Sequence, residues 1–99
     1  MELFNGRSQM VVSSLYYSNL DPYSVKSADT FFTDYKKKKV PGDRIVEKLT
    51  MSLEVAVEDG GMDAALMERV AQTIVDKIQK HFPKAKIPKD FHRWRKYLK

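Results

Sequence analysis

The sequence predicts a mostly α-helical fold: a small single-domain bundle of about four helices, roughly 22–38, 43–58, 63–82 and 88–98, preceded by an N-terminal arm that is irregular or a short strand. Three observations predict it. Apolar residues recur at steps of three and four through most of the chain. Helix starts carry Asp or Pro, and breaks fall at "VPGD" (40–43), at "DGG" (59–61) and at the two prolines of "FPKAKIPKD" (82–90). Ninety-nine residues with 42% hydrophobic and 31% charged side chains make one globular domain, 1–99, with a modest core.

The first twenty residues are the arm. "SQMVVSSLYYSNL" is rich in β-branched and aromatic residues, which favours a strand. Ser8 capping a short helix with Val11 and Leu15 is the alternative. A lone strand has nothing to pair with in a helical fold, unless a partner chain supplies it.

Asp21 followed by Pro22 starts the first predicted helix, because Asp caps and proline is tolerated in the first turn. Val25, Ala28, Phe32 and Tyr35 form its stripe. Lys36 to Lys39 complement the negative end of its dipole.

The stretch 43–58 carries two periods. Leu49, Met51, Leu53, Val55 and Val57 alternate as in a half-buried strand. The helical reading also accounts for Ile45, Val46 and Ala56, and its length exceeds an ordinary strand, so a helix with a broad apolar face is expected, with Asp43 as its cap. Gly60–Gly61 makes a tight joint to the next helix, which Asp63 caps. There Leu66, Val70, Ile74 and Ile78 recur every fourth residue, and Pro83 ends the run.

In the last segment Ile87, Phe91, Trp94 and Leu98 form a stripe at spacings of four, three and four. Pro88 fits a first turn. His92, Arg93, Arg95, Lys96 and Lys99 fill the remaining circumference, giving a basic amphipathic helix.

Charge is unevenly spread. Residues 1–42 hold six Lys/Arg against four Asp/Glu, 43–76 hold three against eight, and 77–99 hold nine against one. An acidic middle and a basic end suggest a nucleic-acid face, an acidic protein partner, or head-to-tail self-association.

The chain has no cysteine, which excludes disulfides, thiol catalysis and thiolate zinc sites and fits the cytoplasm. The longest uncharged run, Ser8 to Leu20, is interrupted by Ser13, Ser14, Ser18 and Asn19, so no membrane span is expected. Glu2 breaks the myristoylation pattern, and no secretory leader is visible. The expectation is a complete, soluble gene product. Its small size and lack of familiar motifs are shared with virus- and phage-encoded accessory proteins, for which the location is the host cytoplasm.

Catalytic machinery is not visible. The histidines, His81 and His92, stand in no metal-binding spacing, and the acidic "EVAVEDGGMD" lacks the alternation of a calcium loop. No serine sits in a nucleophile elbow. No enzyme, metal or cofactor is expected.

Two functions remain. The first is nucleic-acid binding, to DNA or RNA, through Lys36, Lys37, Lys38, Lys39, Lys84, Lys86, Lys89, Arg93, Trp94, Arg95, Lys96 and Lys99. Lysines would neutralise phosphates, arginine forks would grip them, and Trp94 or Tyr97 would stack on bases. The second is a protein-interaction module, a homodimer, adaptor or inhibitor, joined through Met51, Val55, Met62 and Met67.

Overall fold

The computed structural model describes residues 2–98. Five helical elements follow one another: α1 (Glu2–Tyr17), α2 (Pro22–Lys37), α3 (Gly42–Gly60), α4 (Ala64–His81) and a C-terminal 3-10 segment (Lys89–Tyr97). No strand occurs among the described residues. One buried cluster draws on all five, including Val12, Phe32, Leu49, Ile74 and Trp94.

The N-terminal stretch corrects the expectation of an irregular arm or strand: it is the helix α1. Among its described side chains the buried ones are Ser8, Val12 and Leu15, a helical stripe on which a serine stands in for one apolar residue. Ser8 Oγ lies 2.9 Å from the equally buried Ser52 Oγ of α3. Two small side chains at this crossing bring the helices close while satisfying each other's hydroxyls. Packing thus overrides the strand preference of Val11, Val12, Tyr16 and Tyr17.

α1 ends in a reverse turn in which Leu20 N–H donates to Leu15 O and Asn19 N–H to Tyr16 O, both at 3.0 Å. α2 ends the same way, with Val40 N–H donating to Tyr35 O at 3.1 Å and Lys39 N–H to Lys36 O at 3.0 Å. This pair of bonds is the Schellman motif, which needs a left-handed residue after the helix. Asn19 (φ 56°) and Lys39 (φ 58°) fill that position.

At its start α2 is as the sequence anticipates: Asp21 accepts from Ser24 N–H at 2.8 Å. Asp63 likewise accepts from Leu66 N–H at 2.8 Å at the head of α4. Gly61, at φ 55°, turns the chain between α3 and α4. Asp43 does not cap α3. The cap position is Pro41, which has no side chain for the task, and Asp43 lies inside the first turn. The 43–58 stretch is helical.

The last segment is also shorter in its helical geometry than expected. It is a 3-10 helix kinked at His92 (φ −95°, ψ 22°) rather than an α-helix over 88–98. In 3-10 geometry residues three apart eclipse, so Phe91 and Trp94 point the same way, and both are fully buried.

α1 and α3 run in one direction and α2 and α4 in the other. Ser8 meets Ser52 while Tyr17 shares a cleft with Gly60. Asp29 of α2 meets Lys77 and His81 of α4. Arg7 ties α1 to the far end of α2, donating to Asp34 at 3.0 Å with its guanidinium 5.2 Å from the Tyr35 ring centre. The C-terminal segment packs chiefly on α3.

Candidate nucleic-acid interface

The antiparallel arrangement sorts charge between two ends of the bundle. At one end lie Tyr16, Tyr17 and the α3–α4 joint with Glu58, Asp59 and Asp63. At the other end the C-termini of α2 and α4, the N-terminus of α3 and the 82–88 connector meet. The basic blocks come together here.

The junction is built around Gly42. A β-carbon there would lie 3.0 Å from Ala85 Cβ and 3.1 Å from Phe82 Cβ, so only glycine lets α3 start this close to the connector. A cleft of about 400 Å³ results, with Lys36 on one wall and Lys84 on the other, beside Pro41, Gly42, His81 and Phe82. Lys84 also lines a second cleft of about 720 Å³, together with Lys86, Lys89 and Arg93. A chain of cations therefore runs from Lys36 through Lys84 to Lys86 and Lys89. Asp43 borders both clefts, and Glu47 and Asp90 border the second.

Lys36, Lys37, Lys38, Lys39, Lys84, Lys86 and Lys89 are all exposed. None forms an ion pair with a described residue. Lys38 holds its ammonium 5.3 Å from the Tyr35 ring centre.

The rest of the expected basic face is differently placed. Arg93 Nε donates to Glu54 at 3.0 Å and its Nη1 to Asp90 at 3.1 Å. Arg95 makes a forked pair with Glu68, both bonds at 2.6 Å. Lys96 lies 3.3 Å from Glu54. The acidic middle of the chain therefore meets its own basic end, and the forks expected to grip phosphate hold the C-terminal segment to α3 and α4. The hydrogen bond from Arg95 holds the Glu68 carboxyl below its ordinary range. Burial, with the Arg95 charge beside it, lowers the His92 imidazole.

Trp94 is a correction. It is fully buried and offers no face for stacking, because its 3-10 register aims it into the core. Arg95 lies over its ring at 5.5 Å from the centroid. Lys99 lies outside the described residues.

Met67 is corrected in the same way: it is fully buried and can join no interface. Met51 and Val55, one turn apart on α3, stay 40% and 37% exposed. Met62 is half-buried and lies 3.2 Å from the position of a Gly60 β-carbon.

Three features escaped the sequence reading. One is the close approach at Gly42, for which a glycine after proline was the only signal. Another is the left-handed Lys39. The third joins α2 to α4: Asp29 lies 3.0 Å from Lys77 Nζ, 2.8 Å from His81 Nε2 and 3.8 Å from Lys80 Nζ. The His81 ring stacks on Phe32 at 5.5 Å. Burial alone would raise the Asp29 carboxyl, but the bonds from His81 and Lys77 outweigh it and lower the pKa. Nothing in the spacing of these residues pairs them.

Among the described residues no group of three or more His, Asp or Glu converges as a metal site, and no helix is long and apolar enough to cross a membrane. Comparison with protein-family models, with curated proteins and with solved structures found no match.

Proposed function

We propose that this chain is a small non-enzymatic nucleic-acid-binding protein that holds phosphates with the lysine-rich end of its bundle. One observation carries this reading. Two lysine blocks far apart in sequence, 36–39 and 84–89, meet where Lys36 and Lys84 line one cleft, and all seven of their side chains are exposed and form no ion pair with a described residue. Like charges repel, and assembling them raises the free energy of the fold unless an anion is there to receive them. The reading moves the binding surface from the C-terminal segment to the junction of α2, α3 and the connector.

The test is charge reversal on two sides of that cleft. Lys36→Glu with Lys84→Glu should reduce affinity for a labelled oligonucleotide by more than about tenfold at low salt, with an unchanged circular dichroism spectrum. Unaltered affinity would remove the surface from consideration.

A second reading rests on Met51 and Val55, which remain exposed on α3. They would join two copies of the chain in a homodimer. Met51→Glu should convert a dimer to monomers on a sizing column, and a dimer indifferent to it would rule out this face.

A further inference from the structure

We infer that the lysine-rich end binds the phosphate backbone of duplex nucleic acid and neither stacks on nor reads bases; this rests on the nucleic-acid reading above. Four features of the surface lead there.

The first is the kind of cation. The seven cations of the two blocks are all lysines, and Arg93 and Arg95 are occupied by carboxylates; the nearby guanidinium without a described partner is that of Arg44, exposed next to Asp43 in the first turn of α3. An ammonium is a point charge on a flexible stem that meets a phosphate from many directions. The forked donor that recognises a guanine edge is a guanidinium.

The second is the lack of a stacking platform among the described side chains of this end. Proteins that hold single strands without sequence preference combine charge with exposed aromatic rings. Here Trp94 is fully buried and Tyr35 is 5% exposed. Phe82 is half-buried with its ring against the Gly42 backbone. Of the exposed rings among the described residues, Tyr17 and Tyr23 belong to the opposite end, at the close of α1 and the start of α2, and Tyr97 stands on the C-terminal segment with the Lys96 ammonium 5.1 Å from its ring centre.

The third is what the surface presents. Helix ends meet at this junction, not the flank of a helix. α1 and α3 both start at this end, and the start that lines the junction is that of α3. Its first turn carries Asp43, and the connector lies against Gly42. A recognition helix enters the major groove with its N-terminal residues free to reach base edges. This one meets the connector on one side and would bring a carboxylate toward phosphate.

The fourth is rigidity. Lys36 to Lys39 sit on the last turn and Schellman turn of α2, and Lys84 follows a segment packed on Gly42. Charges fixed on a firm surface match the dense, regular phosphates of a duplex better than those of a flexible strand. Among the described residues lining the two clefts no exposed ring offsets the difference.

The experiment is fluorescence anisotropy with labelled duplex DNA, duplex RNA and the matching single strands, in AT-rich and GC-rich versions. Titrations are run at about 50 and about 200 mM salt. Duplexes of both compositions should bind alike, with single strands about tenfold weaker. Affinity should fall by up to roughly 10³-fold across that salt range, as expected for about six phosphate contacts. Trp94 emission should stay unchanged at saturation. Arg95→Ala should bind as the natural chain does, while Lys84→Glu should weaken both duplexes equally. Tighter binding to single strands, a marked dependence on base composition, or quenching of Trp94 would overturn the inference while leaving nucleic-acid binding standing. Absence of binding to every oligonucleotide would overturn the underlying reading as well.

Discussion

Lys39 occupies a backbone conformation that side chains avoid, at the position where a Schellman turn ordinarily places glycine. The left-handed region costs an L-residue about 1–2 kcal/mol. Lys39→Gly should therefore stabilise the fold by about 1 kcal/mol, raising Tm by several degrees. The same change removes one cation from the proposed surface, so duplex affinity should fall and the salt slope should shrink by about 0.9. Thermal unfolding and anisotropy read the two effects separately. A variant that gains stability without losing affinity would place Lys39 outside the contact. Asp29 is the other residue whose environment is informative. Its pKa lies below the ordinary 3.8 in the fold, so the unfolded chain binds its proton more readily. The stability it adds is present above the ordinary carboxylate pKa and is lost as pH falls through the lowered value. Asp29→Asn should cost about 1–3 kcal/mol at neutral pH, because the amide removes the negative charge and puts an NH2 donor in place of one of the two oxygens that face Lys77 and His81. It should also flatten the acid limb of stability against pH. Urea midpoints measured at several pH values would show both.

Among the elements, the C-terminal segment depends most on tertiary contacts. A 3-10 run of nine residues with a kink has poor internal bonding, so it is held by what it buries and by what its cations reach. Phe91 and Trp94 supply the first, Glu54 and Glu68 the second. Trp94 Nε1 is buried without a hydrogen-bond partner among the described residues, so the indole is present for its volume. Trp94→Phe should be mild, about 1–2 kcal/mol, since it removes an unsatisfied donor along with some packing. Trp94→Ala should cost about 3–5 kcal/mol and free the segment from α3. Chemical denaturation followed by circular dichroism compares them, and a Phe variant as damaging as Ala would mean the N–H has a role. α1 teaches a related lesson. Its place in the bundle depends on Ser8 facing Ser52, a contact between residues forty-four positions apart.

For the whole molecule, the balance between the acidic middle and the basic end sets how much positive charge is left for a ligand. Glu54 holds both Arg93 and Lys96. Glu54→Gln should free the Lys96 charge and leave Arg93 with Asp90 as its remaining carboxylate, and Arg93 already lines a cleft with Lys84, Lys86 and Lys89. Duplex affinity should rise several-fold in the variant, while stability drops by about 1–2 kcal/mol. Anisotropy and urea unfolding on the same preparation test that exchange. An affinity that stays constant would confine the binding surface to Lys36–Lys39 and the connector.

The sequence by itself determined the helical class, the spans of α2 and α4, their Asp caps and the joint at Gly61. Those features rest on local chemistry: the helical period, a carboxylate one turn ahead of a free N–H, and a glycine at positive φ. It also located both lysine blocks, since charge is read directly from composition. What it left open was decided by contacts between residues distant in the chain. The double periodicity of 43–58 resolved to helix because α1 and the C-terminal segment pack on its flanks. Residues 2–17 became helix because Val12 and Leu15 join the core where Ser8 meets Ser52. Trp94 and Met67 went inward, and Arg93, Arg95 and Lys96 were paired with Glu54 and Glu68 rather than left for a ligand. The meeting of Lys36 with Lys84 across Gly42 was also beyond the sequence, because nothing in local spacing records which helix ends will lie side by side.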